Sequence, residues 1–121
     1  MELKEALERL EELQQKMFAY RTASSSLYLD GVTVAPKDTS AGRGVALGVL
    51  AGESHKLFAS PEVGQLLDFL DSRRDELDPV TAREVTVLRR DYSKTARIPA
   101  DEYMEYAMLT NEASDVWHRA K

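Results

Sequence analysis

Residues Leu27–Leu57, with the sequence LYLDGVTVAPKDTSAGRGVALGVLAGESHKL, differ in character from the rest of the 121-residue chain. Five of the six glycines lie between residues 31 and 52, whereas the flanking sequence is charged and amphipathic. Gly44, Gly48 and Gly52 are spaced four residues apart, and residues at this spacing share one face of an α-helix. We therefore predict a helix through this stretch with one face that carries no side chains.

A helix with such a bare face needs a cover. Each interior glycine costs about 1 kcal/mol relative to alanine, so three of them require compensation from packing. Glycines four residues apart let another backbone approach closely, an arrangement best known from membrane helix pairs. Leu47, Leu50 and Phe58 lie on the other sides, so this helix is apolar almost all round. It is predicted to be a central helix or part of an interface.

A nucleotide-binding loop is the alternative interpretation of the same glycines, and the sequence disfavours it. The segment GRGVALG, at Gly42–Gly48, is superficially like a dinucleotide fingerprint, but its third glycine follows the second by four positions instead of three. The fingerprint also belongs to a parallel sheet. No later segment has the alternating pattern of a strand.

On the N-terminal side, a first helix is expected from about Glu2 to Ser26. Its apolar face combines heptad-spaced residues with two that widen it: Leu3, Leu7, Leu10 and Met17, then Leu13 and Phe18. Residues 27–36 are predicted to be extended or irregular, with Gly31 supplying an unusual backbone angle and Pro36 ending the segment.

Capping residues and prolines mark the starts of the later helices. The second helix is expected to begin at residues 38–40 and to end near residue 60. Ser60-Pro61-Glu62 predicts the start of a short third helix, Asp78-Pro79 that of a fourth, and Pro99 that of a fifth. The sequence therefore predicts an all-α fold, with about five helices in a bundle or hairpin arrangement, as a single domain over residues 1–121.

Composition excludes several classes of partner. The net charge of −5, from 21 acids and 16 bases, argues against nucleic-acid binding. The longest nearly apolar run, GVALGVLAG, is too short for a bilayer core, which needs about 20 residues. Cysteine is absent, so neither disulfides nor thiolate metal sites can form. We expect a soluble, cytoplasmic protein with no nucleic-acid or membrane partner.

The sequence offers no catalytic, metal-binding or cofactor-binding motif. The two histidines, His55 and His118, are more than sixty residues apart, and neither belongs to HExxH or to another ligand spacing. No serine lies in a nucleophile-elbow pattern. Both histidines are interpreted as surface or packing residues, and no cofactor is expected in this chain.

The fifth helix, expected from about Ala100, carries more apolar surface than one face can bury. The candidate protein-interface residues are therefore the glycine row and five residues of this helix: Gly44, Gly48, Gly52, Tyr103, Met104, Tyr106, Met108 and Trp117. Ordinary core packing is the alternative. Because the apolar second helix also needs a cover, we expect the chain to form a homo-oligomer, with a dimer as the simplest form.

Three stretches of the chain resemble the N-terminal part of the thermostable carboxypeptidase Taq family of zinc metallocarboxypeptidases. The segment LYLDGVTVAPKDTSAGRGVALGVLAGESHKLFASPEVGQLL is similar to the family's opening sequence, and REVTVLRRDYSKTARIPADEY and NEASDVWHRAK are similar to later segments in the same order. The positions that match in place include Asp30, Arg43, His55 and the Ser60-Pro61-Glu62 start signal. The resemblance spans essentially the whole chain.

The resemblance implies an all-α helical cap beside the substrate cleft of an often dimeric enzyme, whose zinc ligands and catalytic glutamate lie beyond this region. HExxH is absent from the chain. Ala41, Val45 and Ala46 stand where the family carries Glu or Gln, so polar cleft-facing groups have become small and apolar. The sequence predicts either an N-terminal region that packs on a missing catalytic body, in a truncated or degenerate homologue, or a free-standing helical interaction module. The fifth helix is still in register at Lys121, which favours a piece of a longer protein.

Overall fold

The computed structural model describes residues 1–33, 36 and 38–120, and every regular element among them is helical. The helices are α1 (Leu3–Val32), α2 (Ser40–Phe58), α3 (Pro61–Ser72), α4 (Pro79–Thr95) and α5 (Ala100–Ala120), with a short 3-10 turn at Arg74–Glu76. The prediction of an all-α chain with about five helices is confirmed. No helix in the described ranges is both long enough and apolar enough to cross a membrane.

The starts of α3 and α4 follow the capping signals of the sequence. The Ser60 hydroxyl accepts a hydrogen bond from the Val63 amide at 3.4 Å, and a carboxylate oxygen of Asp78 accepts one from the Thr81 amide at 2.9 Å. Each cap is followed by a proline in the first turn, where its missing N–H is not needed. The backbone hydrogen bond from Thr81 lowers the pKa of Asp78.

The first helix is longer than the sequence predicts. It continues through residues 27–32, so the prediction of an extended or irregular segment there is wrong for these residues. Gly31 is helical, and no described glycine has a positive φ. A Cβ at Gly31 would lie 2.8 Å from Cζ of Arg43, so this glycine makes room for a guanidinium and not for a turn. Of the rest of the predicted segment, Val34 and Ala35 lie outside the described residues.

The hydrophobic core lies where α1, α3 and α4 meet, with the C-terminal end of α2. Its buried members are Ala6, Leu10, Leu13, Phe58, Val63, Leu66, Leu67, Leu70 and Val85. Two residues expected on the core face of α1 lie outside it, since Leu7 is 36% and Phe18 65% exposed. Ala6, which is outside the predicted set, is fully buried. The buried side of α1 therefore contains Ala6, Leu10 and Leu13 and excludes Leu7 and Phe18.

The helices pack as a series of neighbours in the order α5, α2, α1, α3 and α4. Helix α2 therefore lies between α1 and α5, as expected for a helix that is apolar almost all round. A network of ion pairs fixes the outer pair, because Arg89 on α4 bonds to Asp68 and Asp71 on α3, at 3.0 Å in each case. Arg74 donates to Asp71 at 2.7 Å, and this hydrogen bond is the main cause of the lowered pKa of Asp71.

Candidate functional site

Helix α5 lies directly over the glycine row of α2. Gly44, Gly48 and Gly52 are all buried. A Cβ at Gly48 would lie 2.6 Å from Cγ of Met108, and one at Gly44 would lie 2.8 Å from Nδ2 of Asn111. These separations are shorter than non-bonded carbon contacts allow. The two helices therefore pack at a distance that only glycine permits at these positions.

The cover of the glycine row thus comes from the same chain. Met104 and Met108 of α5 fill the space above Gly48 and Gly52. Two other candidate interface residues of α5 point elsewhere, since Tyr106 is 67% and Trp117 64% exposed. Contact of these residues with a second chain stays a prediction.

His55 fixes the beginning of α5 to α2. Its ring is 5% exposed and stacks on the ring of Tyr103, with the centroids 4.8 Å apart and the planes 17° from parallel. Its Nε2 is hydrogen-bonded to the Ile98 carbonyl oxygen, just before Pro99 and the start of α5. Because a carbonyl can only accept, Nε2 carries the proton. Nδ1 is buried, with no hydrogen-bond partner in the part of the chain that the structure describes. The interpretation of His55 as a packing residue is confirmed.

A second polar contact fixes the middle of α5 to the start of α2. Nδ2 of Asn111 donates to the Ser40 carbonyl oxygen at 3.1 Å. Ser40 is the first residue of α2, so this bond ties α5 to the N-terminal end of α2. The α2–α5 pair is therefore joined by the His55 and Asn111 contacts, with the methionine-on-glycine packing between them.

A cleft of about 880 Å³ opens between the C-terminal part of α1 and α5, with α2 as its floor. Arg43, Leu47 and Ala51 form the floor. The walls come from the two other helices: Ser24, Ser25, Tyr28, Leu29, Gly31, Val32 and Thr33 from α1 and its end, and Tyr103, Tyr106, Ala107, Thr110, Asn111, Ser114, Asp115 and His118 from α5. Three of the five tyrosines of the chain line this cleft.

Arg43 and Asp115 are the charged residues of the cleft lining. Asp115 is paired with Arg119 at 3.3 Å. Arg43 donates through Nη1 to the Thr39 hydroxyl at 3.1 Å, and no ion pair of Arg43 is present among residues 1–33, 36 and 38–120. Its guanidinium lies against the backbone of Gly31 at the end of α1. The cleft therefore contains one cation that no acid in the described residues neutralises.

Sequence reasoning finds one wall of this cleft without identifying it as a cleft. The spacing of the sequence places five residues along one side of α5: Tyr103, Ala107, Thr110, Ser114 and Trp117. The first four line the cleft, and Trp117 does not. Arg43 matches a family position, but the sequence assigns it no role. The structure places Arg43 against Gly31. This contact forms only because the chain reverses between α1 and α2, so the sequence of either helix alone does not reveal it.

The described residues do not fit a zinc site. No group of three or more His, Cys, Asp or Glu side chains in the described ranges is arranged to hold a metal ion. His55 is hydrogen-bonded to a backbone carbonyl, and His118 lies in the cleft lining with Asp115 as its nearest potential ligand in sequence. Two such groups are fewer than the three protein ligands of catalytic zinc sites. These residues therefore support no catalytic step through a metal.

Comparison with known proteins establishes the class of protein. A family model described as carboxypeptidase Taq (M32) metallopeptidase matches residues 9–121, so the chain belongs to this family. It is similar to Carboxypeptidase 1 of Bacillus subtilis (strain 168), with 30% identity over 110 residues. That alignment covers 91% of this chain but only 22% of the relative, so the chain spans about a fifth of the length of the protein it matches. No solved structure matches the chain.

Proposed function

We propose that this chain is the N-terminal helical region of a carboxypeptidase Taq-like metallopeptidase and that it has no catalytic activity by itself. The family match over residues 9–121 carries the proposal. In the full-length protein the remainder contains the zinc ligands and the catalytic groups that release C-terminal amino acids from peptides. The helical region forms a cap on that remainder. The enzyme acts in the cytoplasm.

Two features of the chain support a non-catalytic role. HExxH does not occur in the 121 residues, and the acids whose pKa values are lowered, Asp71 and Asp78, serve a helix-pairing network and a helix cap. Their carboxylates are hydrogen-bonded to Arg74 and to the Thr81 amide, so both are occupied in holding the fold. A general acid or base needs a pKa near the working pH, and these shifts go the other way.

The test is an assay of the 121-residue chain with added zinc and short peptides of varied C-terminal residue. We expect no release of C-terminal amino acids, whereas Bacillus subtilis Carboxypeptidase 1 under the same conditions is the positive control. Turnover that disappears on adding a chelator would contradict the proposal.

A second candidate function, from a different class, is a free-standing helical module that associates with another protein or with itself. The exposed aliphatic residues of α5 outside the cleft favour it, since Leu109 is 63% and Val116 49% exposed. In the first proposal the same residues pack on the catalytic body of the enzyme or on a second copy. A coding sequence that continues past Lys121 into HExxH favours the first proposal, and a stop codon there favours the second.

Sedimentation at high micromolar concentration tests whether this surface associates. We expect self-association that Leu109→Glu weakens, because a carboxylate in the apolar surface must be desolvated. Val80→Glu is the matched control, since Val80 is similarly exposed, at 68%, but lies at the start of α4 in the other half of the molecule. A strictly monomeric mass, or equal effects of the two substitutions, would remove association through α5.

A further inference from the structure

We propose that the cleft between α1 and α5 binds a ligand with a single carboxylate and a flat apolar body, the carboxylate pairing with Arg43 and the body lying against the tyrosines. This inference goes beyond the proposed function and does not rest on it, because it concerns residues of this chain alone.

The position of Arg43 is the first argument. Arg43 is half-buried and lines the floor of the cleft, where its guanidinium can be reached by a ligand. Nη1 is bonded to the Thr39 hydroxyl, while Nε and Nη2 have no acceptor among the described residues. A guanidinium presents its donors in a planar fork that matches two carboxylate oxygens. The side of the fork that Thr39 does not use is therefore available for an anion.

The local charge decides how many negative charges the ligand carries. The end of α1 beside Gly31 contributes roughly half a negative charge, which offsets Arg43 only in part. Asp115, on the opposite wall, is a second acid in the same cleft, although Arg119 pairs with it. A dianion such as phosphate would leave one charge unmatched and face Asp115 across the cleft. A monocarboxylate matches the charge that remains.

The walls define the body of the ligand. Tyr28 and Tyr106, from opposite walls, are 58% and 67% exposed, which leaves apolar ring surface open to the cleft. Tyrosine rings favour offset or edge contacts with another flat ring. Ser24 and Ser114 add hydroxyl groups to the lining, and Asn111, whose Nδ2 is bonded to the Ser40 carbonyl, adds its amide oxygen. The volume of about 880 Å³ falls within the range of small-molecule sites.

The experiment is an amide-resolved NMR titration of the 121-residue chain with N-acetylphenylalanine. The amide of N-acetylphenylalanine is the control ligand without the negative charge. Inorganic phosphate is the control ligand without the apolar ring. We expect shifts at Ser24, Arg43 and Ser114 with the acid. The neutral amide should bind about tenfold more weakly, because it cannot form the charge-assisted hydrogen bonds with Arg43. Phosphate should bind more weakly still.

Two sources of the carboxylate are distinguished by a further probe. N-acetyl-Ala-Ala-Phe presents the same group as the C-terminus of a peptide. If the peptide binds at least as well as the single residue, the cleft accepts peptide ends. If it binds about tenfold more weakly, the cleft accepts small free acids. Either result supports the carboxylate proposal and identifies its source.

Matched variants separate the charge from the shape of the site. Arg43→Gln should weaken the acid about tenfold and leave the neutral amide unchanged, whereas Arg83→Gln, on an exposed part of α4, should change neither. Ala107→Phe fills the cleft from α5 while keeping Arg43, and it should abolish binding. Ala113→Phe places the same ring on an exposed position of α5 outside the lining and should not.

Circular dichroism of each variant is the control for folding: a variant that keeps its helices and loses binding has lost the site and not the fold. Equal affinity for the acid and its amide, shifts located elsewhere than the cleft, or binding that survives Ala107→Phe would each overturn the proposal. None of these outcomes bears on whether the full-length protein is a peptidase, which the activity assay decides separately.

Discussion

Leu67 and Leu70 of α3 are 1% and 0% exposed, whereas none of the 21 described residues of α5 is buried. These helices represent two halves of one molecule. The half formed by α3, α4 and the beginning of α1 excludes water from large aliphatic side chains. In the α2–α5 half the two helix backbones approach closely at the glycine row of α2, and methionine side chains of α5 lie over the glycines. The His55 and Asn111 contacts lie on either side of this packing.

The difference shows that two ways of holding helices together have different consequences for the surface. Burial of leucines consumes apolar surface, so the α3–α4 half presents mainly ion pairs and polar groups. Packing over glycines consumes little side-chain surface, so α5 keeps apolar residues facing outward. The exposed apolar surface of α5 and the cleft therefore both occur in the α2–α5 half, which is held together by close packing over glycines. This is the half in which we place binding.

The largest expected effect is in the core half. Leu70→Ala removes most of a side chain that is 0% exposed, and it should lower the free energy of unfolding by about 2–5 kcal/mol because the neighbours close the cavity only partly. Denaturant unfolding followed by circular dichroism measures the change.

Leu109→Ala is the control for the same chemical change in the other half. Leu109 is 63% exposed in the single chain, so at low micromolar concentration, below the range where self-association is expected, the substitution should alter stability by no more than about 0.5 kcal/mol in either direction. Similar losses for both variants at that concentration would show that α5 is covered even in the monomer, and the contrast between the halves would fail.

The contrast is partly visible in the sequence. The glycine spacing of α2 predicts a bare face under another helix, and the proline-containing caps predict the starts of α3 and α4, because both signals depend on local geometry. The sequence spacing predicts a stripe on the fourth helix formed by Val85, Leu88, Tyr92 and Ala96. The first three belong to or pack on the core, and Ala96 does not. The all-α class follows from these local rules.

The errors and omissions involve contacts between distant residues. Gly31 and Pro36 predict an irregular segment over residues 27–32, yet these residues are helical, with Gly31 against Arg43. The source of the cover over the glycines, α5 of the same chain, depends on how the chain reverses. The cleft and the unneutralised charge of Arg43 depend on three helices at once, and no spacing along one helix reports them.

A smaller effect tests the fit of the α2–α5 half. Gly48→Val adds three carbons where even a Cβ would lie 2.6 Å from Cγ of Met108, so it should destabilise by about 1–3 kcal/mol. Gly42→Val is the matched control on the same helix, because a Cβ there has no atom within 4 Å. It should be neutral or stabilising by a few tenths of a kcal/mol, roughly the difference in helix propensity.

Met108→Ala provides a second check on the same contact. If a clash between the introduced valine and Met108 is the cause, combining Gly48→Val with Met108→Ala should recover part of the loss, since residues in contact are not additive. Full additivity of the two changes, or an equal cost of valine at positions 42 and 48, would mean that α5 does not lie against the glycine row.

The smallest effect concerns the ion-pair network of the core half. Asp71→Asn should cost at most about 1 kcal/mol at neutral pH, because exposed ion pairs contribute little. Asp91→Asn is the control at that pH, since its contact with Arg90 is long, at 3.8 Å. Urea unfolding at a series of pH values measures how the difference between wild type and Asp71→Asn changes.

The sign of the pH dependence follows from the lowered pKa. Hydrogen bonding from Arg74, and then the charge of Arg89, hold the pKa of Asp71 below its ordinary value of 3.8. Protons therefore bind more readily to Asp71 in the unfolded chain, and its contribution is complete above about pH 4 to 5. As the pH falls below 3.8 and through the lowered folded-state pKa, the contribution disappears. The difference between the two proteins should therefore be constant at neutral pH and shrink below about pH 4. A difference that grows on acidification would mean that Arg74 and Arg89 do not engage this carboxylate, and the core half would then rest on its leucines alone.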